Sequence, residues 1–156
     1  MIELDIPGRG NFKFEYLVLD VNGTLAKDGR LLDRLPKVLA NLRDRFTIYL
    51  LTANTYGKQD SIDQMLGLRS TRLLPGGEDH QKANFVHNLG PEKVIAIGQG
   101  ANDAEMLKVA ALGIAVMSEE GLAIEALLNA NIVAANIYEA LNLLEFPSRI
   151  VATLRR

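Results

Sequence analysis

The sequence contains no cysteine. That absence excludes disulfides and thiolate metal centres. No apolar run approaches the ~20 residues that a membrane-spanning helix needs. The opening residues, MIELDIPGRG, are acidic and poor in apolar side chains, so they do not read as a secretion signal. Internal repeats, low-complexity tracts and long linkers are also missing. Nor is there a strong excess of one charge: the formal net charge is -2. Such a balance gives no global attraction to nucleic acid or to an anionic membrane. The expectation is a cytoplasmic protein that binds neither.

What is present is ordinary globular material. The length of 156 residues suits a single domain, 1–156, with a real core. Hydrophobic residues make up 48% and charged residues 23%, as in a typical folded domain. Apolar runs of strand length alternate with helical patterns. FKFEYLVLD, residues 12–20, reads as one long strand, half-buried first and then buried on both faces. IELDI before it, joined through Pro7-Gly8-Arg9-Gly10, suggests a hairpin at a sheet edge. Residues 31–45 carry leucines and Val38 at helical spacing. Further strands are expected at 46–52, 71–74, 93–98, 112–117 and 132–135. Helices are expected at 57–66, 80–89, 103–111 and 119–129, then at 137–156 with a break near Pro147.

This alternation predicts an α/β fold: a mainly parallel, Rossmann-like sheet with helices on both faces. In such folds ligands sit beyond the carboxyl ends of the strands. The residues at those ends are therefore the candidates. The strand ending at Asp20 is followed by Asn22, Gly23 and Thr24; the strand at 46–52 ends in Thr52, Ala53 and Asn54. The strand at 93–98 runs into Gln99, Gly100, Asn102 and Asp103, and Lys82 lies in the helix before it.

A strand-end aspartate suits nucleophilic attack on phosphorus. The turn after Asp20 offers backbone N–H groups to phosphate oxygens. Thr52 adds a hydroxyl donor, Lys82 offsets negative charge, and Asp103 offers hard oxygen to Mg2+. Each residue alone also has a plain structural use. Asp20 suits a turn start, Thr52 or Asn54 a helix cap, Asn102-Asp103 a helix start, and Lys82 a solvated helix face. His80 and His87, seven apart on one helix, read as isolated side chains without a metal role. The joint order of Asp20, Thr52, Lys82 and Asn102-Asp103 along one sheet edge favours the chemical reading.

In that order DVNGTL, LLTAN, Lys82 and GQGAND resemble the four successive motifs of the haloacid dehalogenase superfamily. The resemblance spans the strand ending at Asp20 through the strand near Ile132. The later half is similar to the end of the phosphorylation domain of P-type ATPases, which points to the soluble P-type ATPase-like group. The resemblance implies that Asp20 is the nucleophile and that the backbone carbonyl of Asn22 faces Mg2+. It places Thr52 and Lys82 at the transferred phosphoryl group. Gly23, Thr24, Ala53 and Asn102 fall on the phosphate side, and Gln99 and Asp103 on the metal side.

Two positions depart from the pattern. Family phosphatases usually carry an acid–base aspartate where this chain has Asn22, and a metal-ligating aspartate where it has Gln99. Asn22 cannot move a proton, which forfeits a factor of roughly 10²–10⁴ in the steps that need one. Asp20 and Asp103 against Lys82 leave one net negative charge, so Mg2+ should bind weakly. The gaps 25–46 and 54–82 are too short for a cap domain, so an open site is expected. The leading expectation is a slow, cap-less, Mg2+-dependent phosphohydrolase acting on a phosphorylated substrate through an aspartyl-phosphate on Asp20. The alternative is a catalytically weak binding or regulatory protein of the same fold. Whether it forms a homo-oligomer is left open.

Overall fold

The computed structural model describes residues 1–54 and 57–156. Five parallel pairings join six strands at its centre. These are β3 (Tyr16–Asp20), β6 (Thr47–Thr52), β7 (Thr71–Arg72), β8 (Val94–Gly98), β9 (Leu112–Val116) and β10 (Ile132–Ala134), ordered β10-β9-β8-β3-β6-β7. Strand β3 is central because it can be buried everywhere. Leu17, Val18 and Leu19 are fully buried, each contributing about 1.5–3 kcal/mol. Leu17 and Leu19 belong to one hydrophobic cluster, Val18 to the other. That is the alternation a strand imposes.

The two clusters place the helices. On one face lie α1 (Leu35–Ala40), α2 (Gln59–Leu66), α6 (Ile137–Glu145) and α7 (Ser148–Leu154), through residues such as Leu39, Ile62, Leu141 and Ile150. On the other lie α3 (Glu78–Leu89), α4 (Ala104–Val109) and α5 (Ile124–Asn129), through Val86, Met106, Leu107 and Ala126. The expected three-layer α/β architecture is therefore present. Gly113 shows how tightly one layer meets the next: a Cβ there would lie 2.4 Å from the Leu107 carbonyl oxygen.

Several element limits differ from the sequence expectation. The run 12–20 is two strands, not one. Up to Phe14 it pairs antiparallel with β1 (Ile2–Ile6) as β2 (Gly10–Phe14), and from Tyr16 it pairs parallel with β6 and β8. Glu15 bonds outward to Lys93 and Thr47 at the switch. The hairpin forms its own two-stranded sheet rather than extending the main one. The helix expected from Leu31 starts only at Leu35. Leu31 instead belongs to a small hairpin, β4 (Ala26–Lys27) with β5 (Arg30–Leu31). Its turn is Asp28-Gly29, with φ 51 and 78. That is a type I′ signature, which Asp-Gly favours. The helix expected from Glu119 begins at Ile124. Ser118 holds residues 118–121 as a turn by accepting from the Glu120 N–H at 3.1 Å and donating to the Gly121 carbonyl at 3.0 Å. The break at Pro147 separates α6 from α7 as expected.

Candidate active site

Strands β3, β6 and β8 end side by side, so the residues after them meet. Asp20, the last residue of β3, is 4% exposed. A bare carboxylate buried there would be costly, and this one is held on both oxygens. Lys82 Nζ donates to Oδ1 at 2.8 Å, and the Thr24 hydroxyl donates to Oδ2 at 2.9 Å. Lys82 reaches the strand ends from α3, 62 residues further along the chain. Its other two protons go to Asp103 Oδ1 at 2.7 Å and Asn102 Oδ1 at 3.3 Å. An ammonium has three donors, and all three are satisfied.

Asp103 is fully buried. Its Oδ2 accepts from the backbone N–H groups of Gln99 and Gly100 at 3.0 and 2.9 Å. It thereby ties the loop after β8 to the start of α4. Gly98 permits this: a Cβ there would lie 2.6 Å from the Asp103 carboxyl.

Burial is the largest influence on Asp20. With Asp103 opposite, it pushes the carboxyl up to about 7, against the pull of Lys82 and Thr24. Burial also works against the charge on Lys82. There Asp20 and Asp103 outweigh it and hold the ammonium above its ordinary value.

Thr52 ends β6 and is 1% exposed. Its oxygen accepts from the Asn54 N–H at 2.9 Å and from Asn22 Nδ2 at 3.3 Å. Both acceptor positions are filled, which leaves the hydroxyl proton to donate. The cap reading therefore passes to Asn54, whose Oδ1 receives the first N–H of α2 at 3.3 Å. Gly23 has φ 81, and a Cβ on it would lie 2.8 Å from the Gln99 side chain. Gln99 is thus packed against the turn after Asp20, with Nε2 donating to the Gly121 carbonyl at 3.2 Å. Ala53 and Asn102 are exposed beside these groups.

All the sequence candidates share one strand-end region, and one of their plain readings fails. Lys82 is not a solvated helix residue but is 1% exposed. No local signal marks it, since only the fold brings it to two carboxylates. His80 is not isolated either. Its Nδ1 lies 2.8 Å from Glu105 Oε2, and Asp79 adds a second carboxylate to this exposed cluster. The oxygen atoms around Asp20 suit a hard cation such as Mg2+. Asp103 Oδ2 already accepts two N–H groups, whereas each Asp20 oxygen accepts one hydrogen bond, which leaves Asp20 as the readier carboxylate donor, with the Asn22 carbonyl and the Gln99 amide as the further candidates.

Residues 79–133 match the model of a family of haloacid dehalogenase-like hydrolases. An uncharacterised protein of Methanocaldococcus jannaschii is 40% identical over 84 residues, which cover 51% of this chain and 90% of that protein. The chain belongs to the haloacid dehalogenase superfamily. Two solved phosphatase structures share the fold at lower identity. One is 3-deoxy-D-manno-octulosonate 8-phosphate phosphatase from Moraxella catarrhalis, in complex with magnesium and phosphate ions. Its TM-score is 0.64 at 15% identity, covering 89% of this chain and 92% of that one. The other is a phospho-aspartyl intermediate analogue of phosphoserine phosphatase. Its TM-score is 0.66 at 14% identity, covering 86% and 99%. A chloroplastic copper-transporting ATPase of Arabidopsis thaliana is 28% identical over 114 residues, 69% of this chain but only 12% of the transporter. Among the described residues no helix is long and apolar enough to cross a membrane.

Proposed function

We propose that this superfamily member is a phosphohydrolase in which Asp20 takes the phosphoryl group. The carrying observation is the geometry of Asp20: buried at a strand end, fixed by Lys82 and Thr24, and paired across the sheet with Leu51, the residue before Thr52. An Asp20 oxygen bonds to phosphorus while the bond to the leaving oxygen breaks, and that oxygen keeps the electron pair. Thr52 donates a hydrogen bond to a phosphoryl oxygen, and the N–H groups of the Gly23–Thr24 turn and of Ala53 would face the same charge. Lys82 and Asn102 steady the acceptor side. Water then attacks phosphorus, releasing inorganic phosphate and restoring Asp20. Asp20, the Asn22 carbonyl and Gln99 would hold Mg2+, with Asp103 behind them. When bound, the ion offsets the negative charge of the phosphoryl group.

Asn22 makes the reaction slow. Its amide neither protonates a leaving oxygen nor activates the water, so both half-reactions rest on positioning. The proposed protein is cap-less and cytoplasmic. Between β3 and β6 lie only the β4–β5 hairpin and α1, which contain no separate covering domain.

The test is turnover of p-nitrophenyl phosphate and acetyl phosphate with Mg2+, by wild type and Asp20→Asn. Wild type should release phosphate and form an acid-stable phosphoenzyme, and the variant should do neither. Absence of both in wild type would overturn the proposal. It would favour a second reading, a binding or regulatory role. The observation behind that reading is the closed Lys82 bridge to Asp20 and Asp103, at 2.8 and 2.7 Å.

A further inference from the structure

Beside the turn that follows Asp20 lies a cavity of about 370 Å³. Gly23 and Thr24 line it beside that turn. Strand β4 with residues 32–34 forms one wall, residues 117–120 after β9 a second, and the start of α6 a third. Its surface is mixed. Leu32, Met117, Ile137 and the Tyr138 ring supply apolar area. Met117 is 49% exposed, a flexible apolar side chain open to a ligand.

We propose that the departing part of the substrate occupies this cavity, and that Arg34 and Tyr138 select a neutral ring whose leaving oxygen is acidic. The chemical class is an aryl or enol phosphate. This rests on the phosphohydrolase reading above.

Four observations carry it. First is adjacency: Thr24 lines the cavity and also donates to Asp20 Oδ2, so the cavity begins one side chain away from the proposed nucleophile. Second is size. A cavity of roughly 150 Å³ already accepts a benzene ring, so this one holds a single or fused ring. Third is charge. Lys27 pairs with Glu119 across the two walls, and Asp33 and Glu120 stand against Arg34. The lining has no cationic excess with which to hold a strongly anionic leaving group. Fourth is the Arg34–Tyr138 unit. Arg34 has φ 66, uncommon for a residue with a side chain. Its guanidinium carbon sits 5.0 Å from the centre of the Tyr138 ring, and the Tyr138 hydroxyl donates to the Asp33 carbonyl. The Tyr138 ring, tied to the Asp33 carbonyl and contacted by Arg34, offers an aromatic surface against which a second ring packs.

Asn22 fits the same class. The oxygen–phosphorus bond breaks with both electrons on the leaving oxygen. A phenolate or enolate carries that charge without a proton from the protein, whereas a sugar alkoxide does not.

Two inert probes test this with Mg2+ present: phenylphosphonate and methylphosphonate, titrated by NMR against the uniformly labelled protein. Phenylphosphonate should bind at least tenfold more tightly and shift the amides of Leu32, Met117 and Tyr138. Met117→Trp, which fills the cavity from an exposed position, should erase most of that advantage while changing methylphosphonate affinity far less. Equal affinity for the two probes, or equal weakening of both by Met117→Trp, would overturn the cavity assignment alone. Failure of both probes to bind would overturn the phosphohydrolase reading with it.

Discussion

Replacing Lys82 by Met should be the most informative change in this protein. The methionine keeps an unbranched apolar stem, one atom shorter than that of lysine, and removes the charge and its donors. Lys82 bridges Asp20 and Asp103 at 2.8 and 2.7 Å, and all three groups are almost wholly buried. Removing the partner of buried charge costs about 3–5 kcal/mol, because the charge that remains has neither water nor a counter-ion. At roughly 2–4 °C per kcal/mol for a chain of this size, the melting temperature should fall by about 6–20 °C. The loss should depend on pH. The Asp20 carboxyl is already raised to about 7, and loss of Lys82 raises it further. A group with a raised folded-state pKa contributes stability that is fully present below its unfolded value near 3.8 and is lost as pH rises through its folded value. The variant should therefore lie closer to wild type at pH 5 than at pH 8.5. Mg2+ should recover part of the deficit, since a cation at Asp20 replaces the missing charge. Thermal melts followed by circular dichroism, at both pH values with and without Mg2+, measure all of this. A deficit under about 1 kcal/mol at pH 8.5, or one equally large at pH 5, would refute the reasoning that Lys82 compensates buried carboxylates.

Two further outcomes follow. Asn22→Asp should increase hydrolysis of sugar phosphates, up to the ~10²–10⁴ that general acid catalysis supplies; steady-state rates on a poor leaving group check this, and no gain would mean the missing proton donor is not what limits the reaction. Gly113→Ala should destabilise the protein by about 1–3 kcal/mol through overpacking, since its Cβ would lie 2.4 Å from a backbone oxygen of Leu107. A urea titration reads that loss, and an unchanged midpoint would show that α4 slides away at no cost.

The fold and the gathering of the site were legible because they depend on order along the chain. Buried strands alternate with helices, and small, hydroxyl and carboxylate residues follow three of those strands. Parallel pairing then brings Asp20, Thr52 and Asp103 to one edge. What was not legible depends on partners distant in sequence. Residues 12–20 look like one strand because an alternating half runs without a turn signal into a continuously apolar one. The break at Glu15 is set by β1 on one side and by β6 and β8 on the other. Lys82 looks solvated because its own helix says nothing of the two carboxylates it meets. The β4–β5 hairpin is a different kind of omission. Asp28-Gly29 is a local signal for it, and the leucines that follow draw attention to a helix instead.

The position of β3 carries a consequence for how the chain reaches this state. Tyr16 sits opposite Thr47 on one side and Val94 on the other. The middle of the sheet is therefore complete only when segments from distant parts of the chain have met, an ordering that slows folding. Until β8 is seated, Asp103 has no fixed place and Lys82 has only half its bridge. The charged trio therefore reports completion: its hydrogen bonds join the end of β3, α3 and the loop after β8, and all of them are present only when those three segments have met.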